Sequence, residues 1–354
     1  MSAHLIDGLL SERLDATFDV KDFHMIRNAL IAAIAAPLLS IGLARAENNT
    51  LRIQDYPGIG NFLVRVANAN GYCEKHGIKC DLRLIPQAPL GLQTLLAGDI
   101  DVAFGPPEVL VQAVNKGADL RVVGSGARAP TFFLMAASGL ETPNASKGYP
   151  AVMHDFKGKK IGVTARGSAA EFQLKTLLQG AGMKPDDVTI VAVGAPNTAF
   201  PAIKNKQIDG LMLFSPMDGF CVVTKACRIV VDPRKGEGPP ELVAVDGAAN
   251  VQTVTADFAA ANPKTIEAYG AAMLDAEAFV GKPENYPANL KIAHDTFKIN
   301  APGGDEILDV ALKNAARSLK FTVDPKAFQN AANYMKTTGQ IDKTIDTSKL
   351  LLAK

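Results

Sequence analysis

Several junctions in this sequence, where a short apolar strand pattern gives way to a helix pattern, carry glycine, proline or serine and are suited to holding an anion. The first turn of a helix has backbone N–H groups without partners and the positive end of the helix dipole, which together stabilise a carboxylate, sulfonate or nitrate group. The residues predicted to bind a ligand at these junctions are Gly60, Asn61, Phe62, Gly105, Pro106, Gly167, Ser168, Ala169, Ser215 and Pro216. Turn formation, or helix capping by Ser168 with Glu171, is the alternative explanation.

Larger side chains near these junctions extend the predicted site. Tyr56 is a candidate aromatic wall, and Arg128 and Arg166 are weaker candidates for a charged clamp, with a solvated surface arginine as the alternative. The chain has no Trp and 6% aromatic residues, which favours a small or flexible ligand over a pocket with large aromatic walls. Glu108 is expected at the pocket rim, where its carboxylate would repel an anion and favour a neutral or cationic ligand.

Catalysis and metal binding have less support than ligand capture. The histidines beyond the N-terminal segment, His76, His154 and His294, are far apart and have no neighbouring cysteine or carboxylate arranged as a proton relay. The cysteines lack the two-residue gap and the accompanying histidines of a zinc site. We therefore predict no catalytic residues, no metal and no cofactor.

Alternating strand and helix patterns must position the junctions. A strand pattern at 51–54 precedes a helix pattern at 61–70, and the same order recurs from Lys160 onward. The two halves also share a motif at 98–106 and 206–216, in which an Ile-Asp pair enters an apolar strand that leaves at a proline. Such alternation predicts an α/β protein of two lobes, each a mostly parallel sheet flanked by helices, with ligand bound beyond the carboxyl ends of the strands.

The predicted lobes are discontinuous in sequence. Residues 47–134 together with 247–354 form the first lobe, and residues 135–246 form the second. Two apolar segments, Thr131–Ala137 and Leu242–Val245, are predicted to be the strands that cross between the lobes and form the hinge. The helical pattern after the second crossing is expected to pack back on the first lobe.

Residues 1–46 form a separate N-terminal segment with the pattern of a signal peptide. A basic residue precedes an apolar run at 29–43, and an Ala-Arg-Ala sequence follows, which predicts cleavage after Ala46 and export to the periplasm. The apolar run is shorter than the roughly 20 residues that cross a bilayer, so a permanent anchor is the weaker interpretation. Either Met1 or Met25 is the start.

All four cysteines lie beyond this segment, as two close pairs. Cys73 and Cys80, and Cys221 and Cys227, each flank a predicted turn between a helix end and the next strand. In an oxidising compartment we predict two local disulfides, with four partly buried thiols as the alternative, since a short loop still requires a suitable Cα separation.

Length and charge restrict the class of protein further. The 354 residues contain 47% hydrophobic and 21% charged residues, which is ordinary globular composition and enough for two domain-sized cores. The formal net charge of +1 lacks the basic excess of a nucleic-acid-binding protein, so no nucleic acid partner is expected.

Motifs in a fixed order carry a resemblance to a known family. They are Tyr-Pro-Gly-Ile-Gly at 56–60, Gly-Asp-Ile-Asp-Val-Ala at 98–103, the Gly167-Ser168 helix start and Asp-Phe-Ala-Ala-Ala-Asn-Pro-Lys at 257–264. With the leader they resemble the sulfonate, nitrate and taurine class of periplasmic solute-binding proteins.

This resemblance implies the type II periplasmic binding protein fold and a transport function. It implies a monomeric receptor that closes about a hinge on a small-molecule ligand, which it hands to the inner-membrane permease and ATPase of an ABC importer. Similar family members use backbone amides and a hydroxyl where Gly167 and Ser168 stand in this sequence. The family name leaves sulfonates, nitrate, pyrimidines and aromatic carboxylates open as ligands.

Two other functions remain open on the same fold. One is an enzyme like the related pyrimidine synthase, which needs a cysteine-rich, iron-handling motif that is absent from this sequence. The other is a receptor that presents its closed form to a membrane sensor.

Overall fold

The computed structural model describes residues 49–299 and 301–352, in which strands and helices alternate. Over these residues the strands are β1 (Thr50–Asp55), β2 (Lys79–Leu84), β3 (Ala103–Gly105), β4 (Leu120–Ser125), β5 (Phe132–Ala137), β6 (Lys160–Val163), β7 (Thr189–Ala192), β8 (Gly210–Phe214), β9 (Cys227–Val231) and β10 (Val251–Thr255). The α-helices are α1 (Phe62–Ala69), α2 (Tyr72–Lys75), α3 (Ala88–Leu96), α4 (Pro107–Asn115), α5 (Ala169–Gly180), α6 (Pro196–Lys204), α7 (Met217–Thr224), α8 (Pro240–Val243), α9 (Ala256–Ala261), α10 (Pro263–Val280), α11 (Tyr286–Phe297), α12 (Gly304–Ala315) and α13 (Pro325–Thr337).

Two sheets share one strand order. A parallel bridge between Ile53 and Val102 joins β1 to β3, so the first sheet runs β2-β1-β3-β10-β4, and the second runs β7-β6-β8-β5-β9. In each sheet the fourth strand in this order is antiparallel to its neighbours, and the other pairs are parallel. The predicted two-lobed α/β fold is thus confirmed. We call the elements around the first sheet the first lobe and those around the second sheet the second lobe.

The two antiparallel strands are also where the chain changes sheet. The prediction of a crossing strand at Thr131–Ala137 is confirmed by β5, which is buried throughout and enters the second sheet. The prediction of a strand at Leu242–Val245 is wrong, because Pro239 and Pro240 fix φ and favour the first turn of a helix, α8. The chain returns to the first sheet through the irregular segment 244–250, which leads into β10. The residue boundaries given above for the lobes stay a prediction.

The C-terminal helices contact both lobes. Helix α10 packs on α1 and α13 packs on α4, both in the first lobe, whereas α12 packs on α7 of the second lobe. The approach of α7 to α12 requires glycine, because a Cβ at Gly219 would overlap the carbonyl oxygen of Ile307. The tail therefore packs on the first lobe as expected, and α12 adds a contact with the second lobe.

The core of the first lobe follows from simple periodicities. Leu51 and Ile53 alternate inward on β1, while Leu63 and Val66 share one face of α1. They pack in one buried cluster with Met273 of α10, which joins the tail to the sheet. Burial of these side chains fixes β1 and α1, and with them the loop between them.

Both predicted disulfides are present. Cys73 pairs with Cys80, with Cα atoms 5.9 Å apart, and Cys221 pairs with Cys227, with Cα atoms 4.7 Å apart. The first bond ties α2 to β2 and the second ties α7 to β9, so each connects a helix to the strand that follows it.

Among the described residues, no helix is both long and apolar enough to cross a membrane. The predicted signal peptide and its cleavage site lie outside the described residues.

Candidate functional site

A cleft of about 460 Å³ lies between the two lobes, at the carboxyl ends of β1, β3 and β8. Four further segments of the chain contribute to it: the two that cross between the lobes, the turn after β9, and the segment that ends α12 and follows it. The lining residues are Tyr56, Gly58, Ile59, Gly60, Phe104, Ala127, Arg128, Ala129, Pro130, Thr131, Phe214, Ser215, Arg234, Asp246, Asn250, Asn314, Ala315, Arg317, Ser318 and Lys320.

Three aromatic rings meet in this cleft. The ring centroid of Tyr56 lies 5.6 Å from that of Phe104 and 5.1 Å from that of Phe214. A Cβ at Gly58 would lie 2.9 Å from the Phe214 ring, so the loop after β1 can approach that ring because residue 58 is glycine. The rings come from both lobes and form what we call the aromatic floor. The low aromatic content of the chain did not predict this clustering.

The Tyr56 side chain is almost fully buried in the floor. Burial raises the pKa of its phenol, which therefore stays protonated and able to donate a hydrogen bond at neutral pH. The hydroxyl is in no hydrogen bond among residues 49–299 and 301–352.

Positive side chains predominate around the cleft. Arg128 lies 3.7 Å from Asp324 and Lys320 lies 3.1 Å from Glu277, whereas Arg317 has no ion pair within the described part of the chain. The Arg128 N–H donates to the carbonyl oxygen of Ser318 (2.8 Å), so the segments that carry Arg128 and Arg317 adjoin.

Arg234 is held in a fixed position at the edge of the cleft. Its guanidinium donates to both carboxylate oxygens of Asp232 (2.8 and 2.9 Å) and to Asp218 (2.9 Å), and it lies 4.2 Å from the centroid of the Phe133 ring. Burial opposes the charge of Arg234, but the hydrogen bonds and charges of Asp232 and Asp218 outweigh burial and raise its pKa.

Asp218 joins this arginine to the rest of the site. Besides Arg234, it accepts hydrogen bonds from the Ser215 hydroxyl (2.6 Å) and from the Asn314 amide (3.0 Å). These bonds link the end of β8 in the second lobe to α12 of the tail. The wall of the cleft is therefore a hydrogen-bonded unit whose arginine is already neutralised.

Four of the predicted ligand-binding residues line the cleft: Tyr56, Gly60, Ser215 and Arg128. Asn61 is buried one residue further along, and its amide donates to the carbonyl oxygen of Gln54 (3.2 Å).

Other predicted residues face the protein interior or a different pocket. Phe62 is fully buried and stacks on Phe297 of α11, with ring centroids 6.3 Å apart. Gly105 and Pro106 border a separate cavity of about 10 Å³ beside α3, and Pro216 is buried at the start of α7.

The predicted helix start at Gly167, Ser168 and Ala169 also lies outside the residues that line the cleft. The Ser168 hydroxyl accepts from the Glu171 N–H (3.4 Å), and the Glu171 carboxylate accepts from the Gly167 N–H (2.7 Å), which confirms the capping interaction. Arg166 pairs with Glu171 at 3.0 Å, in a different groove. A ligand contact by these four residues stays a prediction.

The expectation that Glu108 lies at the pocket rim is wrong. Its side chain is fully buried and accepts hydrogen bonds from Gln173 and Tyr334, because α4 packs against both α5 and α13. It therefore exerts no direct repulsion on an anion in the cleft.

Several lining residues were missed by reasoning from the sequence. Phe104 and Phe214 occupy equivalent places in the repeated motif, directly before Gly-Pro and Ser-Pro, so that repeat was a usable signal. Asn250 and Lys320 lie in irregular segments and Arg317 lies in a short 3₁₀ turn, and none of the three has a comparable motif.

Comparison with known proteins agrees with this architecture. The family described as NMT1/THI5 like matches residues 62–285. A binding protein of Brucella abortus strain 2308 is 31% identical over 201 residues, which are 55% of this chain and 57% of the Brucella protein. The matched region therefore spans less than two thirds of that relative.

Solved structures share the fold at low sequence identity. The alkanesulfonate-binding protein SsuA of Xanthomonas axonopodis pv. citri, bound to MOPS, has a TM-score of 0.69 at 18% identity over 86% of this chain and 98% of that one. The periplasmic nitrate-binding protein NrtA of Synechocystis PCC 6803 has a TM-score of 0.67 at 16% identity over 86% of each chain. Because the family match covers more than half of its length, the chain belongs to the NMT1/THI5-like family, on the fold of the periplasmic binding proteins.

Proposed function

We propose that this protein is the solute-binding component of an ABC importer and that it captures a small anion in the cleft between its lobes. The observation that carries the proposal is that Arg128 and Arg317, on adjoining segments, line the same cleft as the aromatic floor. A solute seated there would touch both lobes, so closure of the lobes around it would enclose it.

The balance of charge supports an anionic ligand. Four cationic side chains and one acidic side chain, Asp246, line the cleft. Arg234 is neutralised by two carboxylates and Lys320 pairs with Glu277 at 3.1 Å. Arg128 has a longer contact of 3.7 Å to the partly exposed Asp324, and Arg317 has no ion pair among the described residues, so these two arginines are the cations most available to a ligand. Guanidinium groups hold carboxylate and sulfonate oxygens through paired hydrogen bonds.

The size and lining of the cleft favour an anion with a carbon body. A volume of about 460 Å³ is within the usual range for small organic ligands, and a bare nitrate ion would fill little of it. The floor of Tyr56, Phe104 and Phe214 offers apolar contact to such a body. Of the carboxylates, sulfonates and nitrate that the helix starts predict as ligands, we therefore favour organic sulfonates and carboxylates.

Import is supported by what two similar proteins bind and by the periplasmic location of one of them. Their names describe an alkanesulfonate-binding protein and a periplasmic nitrate-binding protein. We extend this to the present chain as export to the periplasm, monomeric capture of the solute, and delivery to a membrane permease with its ATPase. Neighbouring genes for a permease and an ATPase would support import, and a neighbouring sensor kinase would support signalling instead.

A thermal-shift screen of the purified protein tests capture of the anion. Organic sulfonates, aromatic and aliphatic carboxylates, nitrate, amino acids and pyrimidines are compared, because a ligand of the native state raises the melting temperature. Each active acid is paired with its own amide, which has the same body without the charge. We expect the acid to stabilise the protein and the amide to have little effect.

Two results of this screen would contradict the proposal. Equal shifts with an acid and its amide would refute the anionic part, and the absence of a shift with every solute would refute solute capture. Recovery of the bound acid unchanged, by mass spectrometry after prolonged incubation, separates a receptor from the enzyme alternative.

A further inference from the structure

A buried carboxyl group outside the lining of the ligand cleft links the two lobes. Glu108, in the first turn of α4, accepts a hydrogen bond from the Gln173 amide of α5 (2.7 Å) and another from the Tyr334 hydroxyl of α13. Helix α4 belongs to the first lobe and α5 to the second, so the bond between Glu108 and Gln173 crosses between lobes. All three side chains are at most 4% exposed.

One oxygen of this carboxyl group has no partner. Both hydrogen bonds go to Oε1, and Oε2 is buried without a hydrogen bond in the described structure. A buried carboxylate with an unpaired oxygen is costly, and a neutral carboxylic acid is much less so. Burial raises the pKa of Glu108, against the smaller opposing effects of the Tyr334 and Gln173 hydrogen bonds.

Among the described residues, no cation pairs with Glu108 to compensate its charge. Helix α3, which also packs on α4, carries no charged residue. On α5, Glu171 and Lys175 pair with each other at 2.8 Å, and on α13 Lys336 binds the carbonyl oxygen of Asp342. The titratable group in contact with Glu108 is the phenol of Tyr334, whose pKa is raised by burial and by the neighbouring carboxyl group.

We propose that Glu108 and Gln173 form a proton-dependent latch, which holds the two lobes together while Glu108 is neutral and releases them when it ionises. The proposal rests on the proposed function in one respect, because the latch regulates closure of the ligand cleft. A second link between lobes lies nearby, where Gln340, after α13, donates to the Thr176 hydroxyl of α5 (3.0 Å). Separation of the lobes breaks the bond to Gln173 and admits water to Glu108.

The direction of the pH effect follows from proton linkage. In the separated form, water lowers the pKa of Glu108 towards its ordinary value of about 4.3, so the joined form binds the proton more tightly. The joined form is therefore favoured over the separated form most strongly below about pH 4.3, the ordinary pKa. This preference is lost as pH rises towards the raised pKa of Glu108 in the joined form. Within this window, affinity for a ligand of the joined form falls by at most about tenfold per pH unit.

Solution scattering on the purified, ligand-free protein from pH 5 to pH 9 tests the latch. We expect the radius of gyration of the unmodified protein to rise with pH. Glu108→Gln mimics the neutral acid and should keep the protein compact at every pH. Glu306→Gln, at an exposed acid on α12, is the matched control and should retain the unmodified profile.

A third variant tests whether ionisation of Glu108 causes the expansion or whether its side chain only fills space between the lobes. Tyr334→Phe removes a hydrogen bond that favours the ionised form, so the rise in the radius of gyration should move to higher pH, whereas a purely structural bridge would show no such shift. An unmodified protein whose radius is constant across this range, or a Glu108→Gln protein that still expands with pH, would overturn the proposal. Because no ligand is present, a failed ligand screen leaves this test intact, and a failed latch leaves the anion site intact.

Discussion

The loops that follow β1 and β6 hold equivalent positions in the two sheets, yet their helix starts are arranged differently. After β1, Tyr56 and Gly60 line the cleft, and neither a side-chain cap nor an acidic residue occupies the first turn of α1. After β6, Ser168 caps α5 and the Glu171 carboxylate accepts the Gly167 N–H.

This contrast shows when a helix start is available to a ligand. The orphan N–H groups and the positive dipole end are common to both helices. In α5, however, the Ser168 hydroxyl accepts the N–H of Glu171, and the Glu171 carboxylate places a negative charge in the first turn. That carboxylate in turn neutralises Arg166 and Lys175. The first turn of α1 has no acidic residue, and Asp55 at the end of β1 pairs with Arg65 of α1. Of the arginines that line the cleft beside this loop, Arg317 has no ion pair among the described residues and Arg128 has only the 3.7 Å contact to Asp324.

The largest expected effect is on ligand affinity, when Arg128 and Arg317 of the cleft are both replaced. The double variant Arg128→Gln with Arg317→Gln should weaken binding of an anion found in the screen by about 100-fold, since each charge-assisted hydrogen bond contributes on the order of 1.5 kcal/mol. Arg166→Gln, at the second loop, should bind as the unmodified protein does. Isothermal titration calorimetry at two salt concentrations measures both.

The opposite result would reverse the comparison. If Arg166→Gln weakened binding and the double variant did not, the ligand would sit at the second loop. Added salt should weaken binding to the unmodified protein more than to the double variant, because screening acts on the charges that the variant lacks.

Much of the fold could be predicted from the sequence because it depends on local patterns. Alternating apolar residues on β1, the capping pair at Ser168 and Glu171, and the short spacing of each cysteine pair have their meaning within a few residues. The crossing at Leu242–Val245 failed because an apolar run of four residues fits a strand or a helix, and the proline pair before it decided the outcome.

The site could be predicted only in part, because its members meet through tertiary packing. Arg128 and Arg317 are 189 positions apart in sequence (317 − 128), and the bond between Arg128 and Ser318 brings their segments together. Glu108 was misplaced because an acidic residue in a first helical turn usually faces water, and nothing in its neighbourhood indicates burial under α13. Contacts between such distant segments have no local signature.

A smaller effect is expected from Glu171, at the second loop. Glu171→Gln should lower the free energy of unfolding by about 1.5 kcal/mol at pH 7, because the charged acceptor of the Gly167 N–H is lost. Burial opposes ionisation of Glu171, but the hydrogen bonds from Lys175 and Gly167 outweigh it and lower its pKa. The stabilisation is therefore present above the unfolded pKa of about 4.3 and is lost as pH falls through the lower folded value.

Urea denaturation of both proteins at pH 7, 4 and 3 measures this effect. The difference in stability between the unmodified protein and Glu171→Gln should shrink as the solution is made more acid. A difference that stayed constant over this range would mean that the carboxylate charge of Glu171 does not stabilise the helix start.

The smallest changes in affinity and stability are expected when a single hydroxyl group is removed from either loop. Tyr56→Phe keeps the ring of the aromatic floor and removes a hydroxyl that has no hydrogen bond within the described structure, so stability should change little while affinity for the anion falls about fivefold. Ser168→Ala removes a capping hydroxyl and should lower stability by about 1 kcal/mol without changing affinity. Isothermal titration calorimetry should therefore show a loss of affinity in Tyr56→Phe only, and urea denaturation should show a loss of stability in Ser168→Ala only. Loss of affinity in Ser168→Ala, with none in Tyr56→Phe, would show that the helix start of the second lobe holds the ligand despite its own carboxylate.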